Sequence, residues 1–233
     1  MYPKKLTFID HLDELRKRIL ICLAAVCIFA IAGYVFSEKI LVLLKGPARG
    51  TIAEFYFFTP QAAFLIKIKI AFFAGLVLAL PVLFYQTWAF VVPGLLDKER
   101  RVLMPMSVLA TMLFLSGALF CYYIVLPIGL RFLIGFGGAE LSPMIDVETY
   151  LQFVTTLIII FGLIFLMPIV VFILAKLNIV SPAALAAKRG YVLIAIFVIA
   201  AVVTPPDVIT QVVLALPMWI LFELSILIIS FFK

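Results

Sequence analysis

The sequence predicts an all-α, polytopic membrane protein with six transmembrane helices, and three observations carry that reading. Apolar residues make up 67% of the 233 and charged residues only 13%, roughly half the charged share of a soluble domain. Apolar stretches near the roughly 20 residues needed to cross the hydrocarbon recur along nearly the whole length. Little chain remains between them, so residues 1–233 read as a single integral membrane domain.

The first span is expected at about 19–36, directly after Arg16-Lys17-Arg18. A basic start and Ala30-Ile31-Ala32 superficially resemble a cleavable signal. Asp10, Asp13 and Glu14 and the helical spacing before the apolar run favour a retained first helix. A long connection with Gly46-Pro47, Gly50 and Thr59-Pro60 follows; Phe55, Tyr56, Phe57 and Phe58 make it too apolar for a disordered linker. Span two is expected at about 66–85, with Pro81 inside it, then a turn containing Pro93-Gly94. Span three follows at about 102–123, ending near Pro127, and a second long connection carries Gly137-Gly138 and Asp146. Span four covers about 150–174 with Pro168 inside, which membrane helices tolerate when neighbours re-satisfy the freed backbone groups. Span five, about 191–203, is about 20 Å long at 1.5 Å per residue, and span six covers about 208–232.

Counting Lys and Arg on alternate sides gives twelve on the side of the N-terminus and six opposite, out of 18. That excess places both termini in the cytoplasm by the positive-inside rule. The formal charge of +6 then records topology and attraction to anionic lipid rather than nucleic acid, because no basic stripe is interleaved with exposed aromatics. Cys22, Cys27 and Cys121 lie singly inside apolar runs and read as small hydrophobes. With one histidine, His11, no metal site, cofactor or serine-protease arrangement is expected, and no phosphate-binding loop pattern occurs. The chain does not read as an enzyme.

Two groups of residues could carry function. At the rim, Asp10 and Glu14 share one face of a helix entering the membrane, and Glu99 stands among bases before span three. Asp13–Lys17 and Glu14–Arg18 are ordinary i,i+4 pairs worth a few tenths of a kcal/mol. Rim carboxylates can equally receive a cationic ligand, and a planar guanidinium suits them because it bonds bidentately. At depth, Asp207 and Gln211 open span six and Glu223 lies further in. Ionisable groups in a span are functional candidates by default, although Asp207 also fits a helix cap. Glu223 lies about 160° round the helix from Asp207, which disfavours a single-file proton relay.

At these motifs the chain resembles the TatC family, the multispanning subunit of the twin-arginine translocase. The resemblance runs through His11-Leu12-Asp13-Glu14-Leu15-Arg16-Lys17-Arg18, Tyr85-Gln86-Thr87-Trp88-Ala89-Phe90, Pro93-Gly94-Leu95 and Glu99-Arg100-Arg101. It continues in Lys188-Arg189, Thr204-Pro205-Pro206-Asp207 and Gln211. It implies that Glu14 and Glu99 receive the paired arginines of a signal peptide, supported by Arg16, Phe90 and Arg101. Pro47 would belong to a structured external region, and Thr204, Pro205, Pro206, Asp207 and Gln211 to structural or partner contacts. The family is bowl-shaped with short fifth and sixth helices. Its implied partners are single-span subunits of the TatA and TatB type, in an oligomeric complex that exports folded proteins on the proton-motive force across a bacterial cytoplasmic membrane. Leu166 departs from the pattern, standing where the family often carries a buried Glu two residues before the proline of span four. A different reading, an ion- or proton-coupled small-molecule transporter, rests on Asp207 and Glu223 alone, and no internal repeat supports it.

Overall fold

The computed structural model describes residues 8–91, 100–135, 144–176, 180–203 and 208–232. Those residues are almost wholly helical and pack as two compact units. The first comprises the described residues before 45 and those from 59 to 112; the second comprises 45–58 and those from 113 onward.

In the first unit, α1 (Phe8–Val35) and α3 (Ala62–Val91) run antiparallel, with α2 (Ser37–Leu44) capping one end. Lipid tails offer no hydrophobic drive between helices, so close approach depends on small residues. Gly33 lies against Ala71 and Ala74, and Gly75 against the backbone of Val26 and Ala30. Further along the same seam Arg18 meets Gln86 and His11 meets Phe90. From Gly33 to His11 is 22 residues, about 33 Å of helix, close to the roughly 30 Å thickness of the hydrocarbon. Polar pairs mark both ends: Glu38 accepts a bond from Lys67 Nζ at 3.0 Å at one, and Glu14 bonds Arg18 at the other. The faces between are apolar and exposed, including Ile28, Ile31, Val35 and Phe72, as a lipid-facing surface requires.

The helix α4 (Arg100–Phe120) enters the second unit and does not stop where Pro127 suggested. It passes through a π-helical turn, Cys121–Val125, in which the Leu126 N–H reaches back to the Cys121 carbonyl, and continues as α5 (Leu126–Gly135). Pro127 has no N–H and its ring would crowd the carbonyl four residues earlier. The widened turn relieves that crowding inside a continuous helix. Span four breaks instead. There α6 (Val147–Ile164) ends, the Leu166 N–H bonds Leu163 O at 3.1 Å in a tight turn, and α7 (Met167–Lys176) restarts with Pro168 in its first turn, where the missing N–H is tolerated.

Four described helical stretches, His11–Val35, Ala62–Phe90, Met104–Gly135 and Val147–Ala175, are long and apolar enough to cross a membrane, and Arg189–Ala201 and Gln211–Leu227 are shorter apolar helices. Two long connections meet in a short parallel pairing, with Phe55 opposite Ile145 in strands β1 (Phe55–Tyr56) and β2 (Ile145–Asp146). Asp146 then caps α6, accepting from the Thr149 N–H at 2.8 Å. Ser181 caps the short α8 (Pro182–Ala187) in the same way. The chain closes with α9 (Arg189–Val203) and α10 (Val208–Phe232), the latter packed along α7 with Ile229 against Val171 and Ala175.

The seam makes a direct test. A methyl group on Gly75 would lie 2.7 Å from Ala30 N and Val26 O, backbone atoms that cannot turn aside. Gly75→Ala is expected to destabilise the protein by about 1–3 kcal/mol. Gly129→Ala in α5, where nothing lies within 4 Å, should be neutral or stabilising by up to about 1 kcal/mol. Denaturant unfolding in mild detergent checks both, and equal stability of the two variants would refute the α1–α3 contact.

Candidate functional site

The residues that converge at the rim belong to the first turns of α1 and the last turns of α3. His11, Glu14 and Arg18 recur at helical spacing and share the face of α1 that meets α3. Arg18 donates to Glu14 Oε1 from Nε at 3.0 Å and also from Nη2, while its Nη1 donates to Gln86 Oε1 at 2.9 Å. One guanidinium thus ties a carboxylate on its own helix to an amide 68 residues away. The second carboxylate oxygen, Oε2, faces His11 Nδ1 at 3.9 Å. The His11 ring stacks on Phe90 with centroids 4.4 Å apart and planes 15° from parallel. About a quarter of each of the Glu14 and Arg18 side chains remains exposed, so the pair is in contact with water.

The sequence-expected residues divide under this geometry. Glu14 and Phe90 come together, linked through His11. Arg16 does not join them; it lies about 200° round α1 from Glu14 and is exposed. Arg101 lies on α4, but its side chain, like the whole of Glu99 and the segment Thr204, Pro205, Pro206 and Asp207, is outside the described residues. Pro47 is buried in the 3-10 turn Gly46–Ala48 beside α5, where the Tyr122 hydroxyl occupies the space a side chain on Gly46 would need. Gln211 donates from Nε2 to the Phe197 carbonyl at 2.9 Å, tying α10 to α9. Leu166 is buried at the α6–α7 break.

Sequence reasoning passed over Arg18, Gln86 and His11 as members of the cluster, and it missed the partner of Glu223. The Glu223 carboxylate accepts both arms of Arg189, from Nε at 2.7 Å and Nη2 at 2.9 Å. A signal was present: Arg189 and Glu223 each stand 17 residues from Pro206, and residues equidistant from the turn of an antiparallel hairpin lie at one level. Among the described residues no group of three or more His, Cys, Asp or Glu could hold a metal ion.

Helices long and apolar enough to cross a membrane, with apolar faces turned outward, make this an integral membrane protein by architecture, and comparison with known proteins names the lineage. The family described as Sec-independent protein translocase protein (TatC) matches residues 10–217, and this chain belongs to it. The Sec-independent protein translocase protein TatC of Carboxydothermus hydrogenoformans is similar at 41% identity, covering 100% of this chain and 96% of that protein. The Aquifex aeolicus protein of the same name is 39% identical over 93% of this chain and 92% of its own. A crystal structure described as the twin arginine translocase receptor TatC superimposes with a TM-score of 0.84 at 38% identity, covering 94% of this chain and 98% of that one.

The hairpin pair is testable by a double-mutant cycle. Arg189 is about half exposed, so solvent screening keeps the coupling small. Glu223→Gln and Arg189→Gln should each destabilise, and the double variant should cost little more than either alone. Fully additive losses in detergent unfolding would show that the two side chains do not stabilise the hairpin together.

Proposed function

We propose that this chain is the receptor core of a twin-arginine translocase: it binds twin-arginine signal peptides at the α1–α3 rim and nucleates a complex that exports folded proteins. In this reading the chain is one membrane domain crossing six times, with the rim and both termini on the cytoplasmic side. Single-span subunits of the TatA and TatB type assemble around it, and the proton-motive force drives transport. Glu14 and Glu99 receive the two guanidinium groups, with Phe90 and Arg101 shaping the surface. Arg16 faces away from Glu14 and serves in headgroup contact or partner docking. Pro47 stiffens the external connection, and Thr204, Pro205, Pro206, Asp207 and Gln211 hold the short hairpin against partner subunits.

Family membership supports this reading, and one observation at the rim carries it: the Glu14 carboxylate already binds a guanidinium, that of Arg18. Its position, distance and exposure therefore suit an arginine ligand in particular. A transporter reading is weaker, because Glu223, on which it leaned, is neutralised by Arg189.

Two measurements test the proposal. Glu14→Ala and Glu99→Ala should each weaken binding of a twin-arginine peptide to purified, folded protein by about 1–3 kcal/mol, since each leaves an arginine without its charged acceptor. Calorimetry showing unchanged affinity in the double variant would remove the rim from the recognition site. For topology, the short strand pairing puts residues near Glu54 and Met144 on one side. In a cysteine-free background, cysteines at Glu54 and Met144 should react with an impermeant reagent added outside cells, and one at Lys17 should not. Labelling of the Lys17 position from outside would invert the assignment.

A further inference from the structure

We infer that Arg18 is a built-in occupant of the Glu14 site, a guanidinium that the incoming signal-peptide arginine must displace. The inference rests on the proposed reading of the rim as the arginine-receiving surface and adds a regulatory step to it. Its basis is the asymmetry of the contacts. Glu14 Oε1 takes two bonds from Arg18, through Nε and Nη2, so one of the two oxygens a ligand arginine would grip is already occupied by a guanidinium. Bidentate capture of a second guanidinium needs both carboxylate oxygens, and Oε1 is taken while Arg18 stays; Oε2 lies 3.9 Å from Nδ1 of His11, whose ring stacks on Phe90. Gln86 supplies the third contact: by holding Nη1 at 2.9 Å it fixes the guanidinium over the carboxylate from the neighbouring helix. An ordinary i,i+4 pair on an isolated helix has no such anchor.

The consequence is quantitative. A partly exposed pair of this kind holds the closed form at roughly five to one at most. An occupant lowers the apparent affinity of every competing ligand by the same factor, the fraction of sites left open. It therefore leaves the preference for arginine over lysine unchanged and shifts both affinities downward. A lysine ammonium, which cannot reproduce the fork, then falls below useful occupancy while paired arginines remain above it. Release also has a ready destination: a displaced Arg18, already about one-fifth exposed, can extend to lipid headgroups or to water.

The test uses purified full-length protein in detergent and two peptides differing only in Arg-Arg or Lys-Lys. Arg18→Met should tighten both by about fivefold with their ratio unchanged. Arg18→Lys keeps the charge without the fork and should tighten both by a smaller factor. Gln86→Leu keeps Arg18 but removes its anchor, and should do the same. Exchange of the Arg18 Nε–H with solvent, followed by nitrogen-15 resonance in the unaltered chain, should accelerate when the twin-arginine peptide saturates the site. Weaker or unchanged binding by Arg18→Met, or Arg18→Lys binding no tighter than the unaltered chain, would overturn the occupant. So would an Nε–H that stays protected in the complex. Glu14→Gln separates the two claims. If it weakens twin-arginine binding while Arg18→Met fails to strengthen it, the receptor reading stands and the occupant falls. If Glu14→Gln changes nothing, the rim reading itself has failed.

Discussion

The hydrocarbon interior holds no water to satisfy a free backbone or a bare charge, and that constraint organises the whole chain. It makes every spanning segment a helix, sends charge to the helix ends, and leaves apolar side chains facing outward. In the first unit the outcome is visible along one seam. Glu38 and Lys67 pair near one end, Glu14 and Arg18 near the other, and Gly33, Ala71, Ala74 and Gly75 hold the apolar stretch between. The polar rim is a by-product of the same constraint. Charges excluded from the interior collect where the helices emerge, and the close α1–α3 contact brings an amide and an aromatic ring from a distant part of the sequence against them.

Proline shows the constraint acting on the backbone. A missing N–H and a crowding ring can be relieved by widening the helix or by ending it. At Pro127 the π-helical turn Cys121–Val125 widens the helix and the chain runs on to Gly135. At Pro168 the helix ends, and Leu166 and Leu163 close a tight turn before α7. The residue type alone does not select between these solutions, since both lie inside long apolar stretches. Gly117 and Gly162, packed against Phe161, Phe165 and Phe114, show how tightly this part of the second unit is filled.

That is also the boundary of what the sequence makes legible. Composition and apolar stretches give the class and the helices, because those follow from the solvent. The rim carboxylate Glu14 is legible as an unusual acid among bases. Its surroundings are not: Arg18 looks like a local i,i+4 partner until α3 is placed beside α1, which brings Gln86 within 2.9 Å of it. His11, dismissed for metal chemistry, gains its role from the ring of Phe90. Arg16, two residues from Glu14, faces elsewhere because two residues is more than half a helical turn. The second connection is partly legible too, since Asp146 three residues before Thr149 is a capping pattern, yet its pairing with Phe55 across some 90 residues is not.

The hairpin α9–α10 shows the same logic carried to a mismatch. Helix α9 has 15 residues, about 22 Å at 1.5 Å per residue, short of the roughly 30 Å the hydrocarbon asks for. Arg189 at its start cannot sink into the lipid uncompensated, and α10, with 25 residues, does not share its length. The Arg189–Glu223 pair reconciles them. It fixes a common level at which α9 begins, with Gln211 bonded to the Phe197 carbonyl tying the helices nearer the turn. The nine residues of α10 beyond Glu223 then run on against α7 and α8, where Ile229 packs with Val171, Ala175 and Leu185. Glu223 is thus placed by the shortness of its neighbour. An acid that looks intramembrane when α10 is read alone stands opposite an arginine at the start of α9, and its charge is answered there. A bilayer meeting α9 must thin or be shielded, each at fractions of a kcal/mol per Å, and a single-span helix docking on this face would relieve that cost. The short hairpin is thus the place in the fold where a protein neighbour would cost less than lipid.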